Sequence, residues 1–173
     1  MANPSPFLPF DELDYHIIRQ LHRDARTPAS EIARVVGANQ RTIRNRIDRL
    51  VELGALRLTA VVEPYVFGYV MSTDIFLEVD PEKEGEIVDC LLRMPEICYL
   101  AYGQSTNEIS IEARFKSNAE MYDFLRQALP SIPGVRVTSY ALVPRILRNI
   151  DQWLPRPTDF GLSDQEKLDG QDQ

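Results

Sequence analysis

The stretch from Gly37 to Gly54, Gly-Ala-Asn-Gln-Arg-Thr-Ile-Arg-Asn-Arg-Ile-Asp-Arg-Leu-Val-Glu-Leu-Gly, constrains the fold of this chain more than any other. Asn39 is placed to accept a bond from an orphan first-turn N–H, and Gly54 to take the left-handed conformation that closes a helix. The helix is thus bounded from within its own segment. On a helical wheel Ile43, Ile47 and Leu50 share a face with Gly54, while Arg41, Asn45, Asp48 and Glu52 point the opposite way and Arg44, Arg46 and Arg49 lie on the flanks. One stripe packs and the rest carries guanidinium groups. Guanidinium grips phosphate through two parallel N–H bonds and matches the acceptor pair of guanine in the major groove, so four arginines between 41 and 49 suit a nucleic-acid partner. An arginine-rich solvated helix face has the same composition, and this helix alone does not choose between the two.

The preceding residues supply the context. Residues 1–10 carry three prolines and predict a flexible, extended arm. Leu13, Ile17, Ile18 and Leu21 recur at helical spacing, which predicts a helix over 11–23. Thr27 followed by Pro28 reads as an N-cap with proline at the first helical position. Ile32, Ala33, Val35 and Val36 then fill a short second helix that stops at Gly37. Three short helices with a tight glycine-containing turn before the third predict a helix-turn-helix over 11–56. Its candidate DNA-binding residues are Asn39, Gln40, Arg41, Thr42, Arg44, Asn45, Arg46 and Arg49. Arg41, Arg44 and Asn45 lie near the helix start, where recognition helices reach base edges; Arg46 and Arg49 are expected on phosphates.

Charge sets the scale of any such contact. The whole chain carries a formal −7, the wrong sign for a protein that coats nucleic acid over its entire surface. Residues 11–60, however, hold nine arginines against seven carboxylates, so the basic character is local and N-terminal. The two cysteines, Cys90 and Cys98, lie far from His16 and His22 and form neither a zinc-ligand pattern nor a disulfide framework. They read as buried thiols of a reducing cytoplasm. No apolar run approaches the length of a membrane span, no secretory leader is recognisable, and no cofactor or metal is expected.

From Ala55 the pattern changes to period two through Leu56, Leu58, Ala60 and Val62, predicting a strand or wing and a linker strand over 57–71. A second domain is predicted over 72–155. Ile75, Leu77 and Val79 share one strand face, and Asp80-Pro81 opens a helix carrying Ile87, Cys90, Leu91 and Met94. Residues 97–102 and 109–115 form a hairpin around the polar turn Gly103 to Glu108. Ser117 with Glu120 is a capping box for a second helix, and Pro133-Gly134 leads into a last strand over 135–143. The order βαββαβ is the ferredoxin-like split motif. Its helices cover one sheet face, so exposed apolar residues on the other face are expected to be covered by another copy of the chain. Residues 144–154 fit a short helix or an extra edge strand, and 156–173 read as a disordered acidic tail. The fold class is therefore α+β: an N-terminal, winged helix-turn-helix followed by a ferredoxin-like βαββαβ domain.

This order and size resemble the leucine-responsive and asparagine-synthase regulators, the Lrp/AsnC family of bacterial and archaeal transcription factors. The resemblance spans roughly residues 12–143. It is carried by Leu13-Asp14, Ile17-Ile18 and Leu21, by Asp24-Ala25-Arg26, and by Val36-Gly37 through Thr42-Ile43, Arg46-Ile47, Arg49-Leu50 and Gly54-Ala55-Leu56. The linker 59–64, Gly68-Tyr69 and Pro133-Gly134-Val135 add to it. The resemblance implies double-stranded DNA as partner, a homodimer or octamer built through the second domain, and an amino-acid-like effector. It places that effector at Gly103, Gln104, Ser105, Thr106, Asn107 and Glu108. Relatives that bind amino acids carry a Gly-Asp-x-Asp-like turn there, whereas this chain has Gln104 in place of the first carboxylate, so a ligand ammonium group loses its counter-charge. Two other functions share the pattern. An architectural protein that wraps DNA without an effector differs in assembly and not in motif. Haem-biosynthetic decarboxylases resemble the same two-domain pattern but use histidine in the second domain, and this chain has none after His22.

Overall fold

Residues 10–103 and 108–163 are described by a computed structural model of the chain. Among them, one compact unit ends at Val61 and takes the chain up again from Arg148, and a second runs Val62–Leu147.

The first unit is built on three helices, α1 (Glu12–Arg23), α2 (Ala29–Val36) and α3 (Gln40–Glu52). A reciprocal capping box starts α1: Asp14 N–H donates to Asp11 Oδ1 at 3.0 Å, and Asp11 N–H donates to Asp14 Oδ2 at 3.2 Å. The apolar stripes meet in one core of Ile17, Ile18, Leu21, Ile32, Ala33, Ile43 and Leu50. Each fully buried isoleucine contributes about 1.5–3 kcal/mol through the apolar surface it removes from water. Pro28 is the N-cap of α2 and not its first helical residue; the Thr27 hydroxyl donates to the Asp24 carbonyl at 2.8 Å and leaves the helix uncapped by a side chain.

The second unit is a four-stranded antiparallel sheet of β1 (Met71–Val79), β2 (Ile97–Gly103), β3 (Glu108–Phe115) and β4 (Val135–Leu142), in spatial order β2-β3-β1-β4. Two helices complete βαββαβ: α4 (Glu84–Leu91), and α5 (Asn118–Asp123), which continues through a π-helical turn over Phe124–Ala128. Register places Ile75 opposite Ile111 and Leu77 opposite Ile109, so these side chains stand together under the helices with Ile87, Leu91, Met121 and Phe124. Ser117 Oγ accepts the Glu120 N–H at 3.2 Å, but Glu120 reaches back to the Lys116 N–H at 2.9 Å and not to that of Ser117.

Several expectations change. No strand or wing forms over 57–70; the segment is irregular apart from a 3-10 turn at Pro64–Phe67, because this alternating segment has no ladder partner among the described residues. Nor is the helix-free sheet face broadly apolar. Ser72, Asp74, Ser110, Glu112 and Arg114 lie on it beside Phe76 and Tyr99, with Ser72 Oγ donating to Glu112 Oε1 at 2.7 Å and Arg114 Nη2 to the same oxygen at 2.8 Å. Exposed apolar side chains gather instead at Val61, Val62, Tyr65, Val66, Phe67 and Val70. Cys90 is half-buried and Cys98 exposed, so neither is the buried thiol expected. Helix α4 stops at Leu91, before Met94, and opens only after a 3-10 turn at Pro81–Lys83 that Asp80 caps.

The largest correction lies at the C-terminal side. Residues from Arg148 group with the three-helix unit and not with the sheet. Over 144–154 neither a short α-helix nor an edge strand forms; Ile150–Gln152 is a single 3-10 turn, as is Pro157–Phe160 beyond it. Within the expected tail, Pro157 and Phe160 are buried and Leu162 is half-buried on the three-helix core. Residues 164–173 and the arm residues 1–9 lie outside the described residues.

Candidate nucleic-acid interface

The turn between α2 and α3 is made by Gly37, whose φ of +68° allows its N–H to close onto the Ala33 carbonyl and reverse the chain within two residues. Asn39 then starts α3, its Oδ1 accepting the Arg41 N–H at 2.8 Å. At the far end Gly54 takes a φ of +70°, and the N–H groups of Ala55 and Leu56 both return to the Leu50 carbonyl, at 2.9 and 3.0 Å. Both helix ends are therefore closed as their residue types require, and the rotation of α3 is set by Ile43 and Leu50, which are fully buried.

That rotation sorts the candidate residues. Asn39, Gln40, Arg41, Thr42, Arg44 and Asn45 are all exposed. Arg41, Arg44 and Asn45 form one stripe over the first half of α3, and Asp48 and Glu52 occupy the same side of the second half. The carboxylates repel a polyanion, so along this stripe the surface open to phosphate or base edges is confined to the first two turns. Among the described residues no ion pair involves Arg41 or Arg44, which leaves their guanidinium donors to water.

Arg46 and Arg49 are placed differently. Their side chains are 31% and 33% exposed and lean against α1. Arg46 Nη1 donates to both Asp14 oxygens at 3.1 Å and lies 2.8 Å from Asp11 Oδ2; Arg49 Nη1 donates to Asp14 Oδ2 at 3.2 Å. Burial alone raises the Asp11 carboxyl, but the Asp14 N–H and the Arg46 guanidinium outweigh it and hold it below the ordinary carboxylate value. Arg46 is held charged by the same two carboxylates in spite of its partial burial. Arg49 also lies over the ring of Phe10, 5.8 Å from its centroid. Sequence reasoning missed Asp14 as the hub of this network. An aspartate three positions after another at a helix start was the available signal; the wheel puts Arg46 and Arg49 on the flanks of α3 but does not show which carboxylate faces them.

Of the candidate effector residues, Gly103 closes β2 and Glu108 opens β3, paired with one another in the ladder. Gln104, Ser105, Thr106 and Asn107 lie outside the described residues. Glu108 also stands opposite Glu78, which bonds Arg136. Among the described residues no three His, Cys, Asp or Glu side chains are grouped to hold a metal ion, and no helix is long and apolar enough to cross a membrane.

A recognition helix presented by a glycine turn, joined to a βαββαβ unit, defines a helix-turn-helix regulator with a ferredoxin-like second domain. Residues 10–51 match the AsnC-type helix-turn-helix domain. The chain is 33% identical to the HTH-type transcriptional regulator FL11 of Pyrococcus horikoshii over 79% of its length and 90% of that protein's. It is 28% identical to the regulator LrpA of Pyrococcus abyssi over 77% of its length and 95% of that protein's. Among solved structures, E. coli AsnC superposes with a TM-score of 0.75 at 23% identity, over 84% of this chain and 99% of the other. A transcriptional regulator of Neisseria meningitidis in complex with L-Met gives 0.74 at 16% identity, over 81% and 93%. The chain belongs to the Lrp/AsnC family and is a DNA-binding transcriptional regulator.

Proposed function

We propose that Arg41, Arg44 and Asn45 read base edges in the major groove, with Asn39, Gln40 and Thr42 at the entry of the helix. Arg46 and Arg49, both braced by Asp14, hold phosphates. The observation that carries this reading is the division of α3: exposed donors over its first half, two guanidinium groups braced from behind by a buried carboxylate, and Asp48 and Glu52 beyond. Selection of bound fragments from random DNA by the purified chain tests it. A defined motif is expected from wild type, and an unchanged motif from the R41A/R44A/N45A variant rules the base contacts out.

The protein acts as a homodimer or higher oligomer in the cytoplasm, and an octamer fits the same reading. Support comes from the apolar run between Val61 and Val70, which a single copy leaves in water. Two heads placed one DNA turn apart, roughly 34 Å, then require an approximately palindromic site. Light scattering that gives the monomer mass at micromolar concentration is the adverse result. An amino-acid-like effector binds near Gly103 and Glu108, supported by the L-Met complex of the Neisseria regulator of like fold. Thermal-shift measurements on wild type and Q104D against the amino acids test this, since a ligand of the folded state raises its apparent stability. Silence from both proteins counts against an effector of this class. The relatives being transcriptional regulators, no catalytic role is assigned.

A further inference from the structure

The segment after the sheet unit does more than end the chain. Residues 156–162 fold on themselves: the Arg156 N–H donates to Asp159 Oδ2 and the Asp159 N–H returns to the Arg156 carbonyl, both at 2.9 Å. Gly161, at φ +78°, then turns the chain so that the Leu162 N–H reaches the Pro157 carbonyl at 3.2 Å. This turn presents one ring. Phe160 is 6% exposed, with its centroid 5.2 Å from that of Tyr15 on α1 and 6.0 Å from that of Phe10. Phe10 in turn lies under the Arg49 guanidinium, whose Nη1 is tied to Asp14. A continuous line of contact runs from the C-terminal turn to the recognition helix, Phe160 to Phe10 to Arg49, within one compact unit.

We propose that residues 154–162 are a positioning element of the DNA-reading head, and that Phe160 fixes the Arg49 guanidinium through Phe10. This rests on the reading of Arg49 as a phosphate contact. A long side chain has much rotamer freedom to lose when it grips a phosphate, and one already held by both a ring and a carboxylate loses less. The alternative is a plug that fills the core and has no specific link to Arg49. The two differ in what an uncharged substitution does to the electrostatics of binding.

The test is a double-mutant cycle on the full chain, with F160A, R49A and the double variant titrated against the selected DNA over a range of salt. R49A is expected to reduce the salt slope by about 1, the loss of one phosphate contact. F160A is expected to lower the slope in the same direction although it removes no charge, F160L to restore it, and the double variant to lose no more than R49A alone. An unchanged slope in F160A, or losses that multiply in the double variant, overturns the inference. An R49A slope equal to wild type instead sinks the phosphate reading, so the two failures are distinct. Should calorimetry show F160A unfolded, F10A breaks the same line while leaving Phe160 on Tyr15, and carries the same expectations.

Discussion

Asp14 and Arg46 are joined across 32 residues of sequence, the guanidinium Nη1 donating to both oxygens of a carboxylate that is fully buried. A buried charge is tolerated only when its lone pairs are filled, and here Arg46, Arg49 and the Asp11 N–H fill them. Asp14→Asn keeps the shape and removes the charge, turning an amide N–H₂ toward two guanidinium groups. The expected loss is about 2–4 kcal/mol in urea unfolding. A loss under about 0.5 kcal/mol, the range of ordinary surface changes, would show that the network is incidental.

The same geometry separates the arginines of α3 by their effect on the fold. Arg46→Ala should destabilise the folded chain by about 1–2 kcal/mol, since it strips Asp14 of its best partner while Arg49 remains. Arg41→Ala and Arg44→Ala, which among the described residues pair with no carboxylate, should stay within about 0.5 kcal/mol of wild type yet change the selected DNA motif by about 1–3 kcal/mol at one position. Thermal melts and binding titrations on the same three variants read both effects.

Acid should act on the reading head through Asp11. Its folded value lies below the ordinary one, so its contribution is present above about pH 4 and is lost as pH falls through the depressed value. Asp11→Asn should therefore melt slightly lower than wild type between pH 5 and 7, by less than about 1 kcal/mol because the side chain is 50% exposed, and the gap should close in stronger acid. A gap that widens on acidification contradicts the assignment.

Glycine at 134 is required by space as well as by dihedral. At φ +91°, an added Cβ would lie 2.8 Å from Asp80 Cβ and 3.4 Å from Ile87 Cδ1, and the Gly134 carbonyl also accepts the Asp80 N–H at 2.8 Å. Gly134→Ala should cost about 2 kcal/mol or more, whereas Gly68→Ala, at φ +84° with nothing near, should cost only the strain of about 1 kcal/mol. Guanidinium unfolding of the two variants side by side tests the ranking.

Periodicity made most of the fold legible. Ile43 and Leu50 on α3, and the alternation Ile109, Ile111, Ala113, Phe115 on β3, carry their burial in their spacing, and all are buried as spaced. What the spacing does not carry is pairing between distant segments. Nothing periodic marks Phe160, a single ring among polar residues, and its burial depends on Phe10 and Tyr15 at the other end of the chain. Likewise the alternation of Leu56, Leu58 and Ala60 describes a segment able to pair, and no partner strand lies among the described residues. Of the eight candidate DNA-binding residues, the exposure of Arg41 and Asn45 follows from the wheel. The bracing of Arg46 and Arg49 depends on a helix 32 and 35 residues away.

The contact of Phe160 with Phe10 and Tyr15 also fixes an order of events during synthesis. A ribosome delivers the chain from its N-terminus, so α1, α2 and α3 emerge first and the residue that packs against them emerges only after β4. A growing chain therefore owns a complete sheet unit before it owns a finished reading head. Nascent copies that meet the chromosome while still on the ribosome lack the last ring of their own DNA-binding unit.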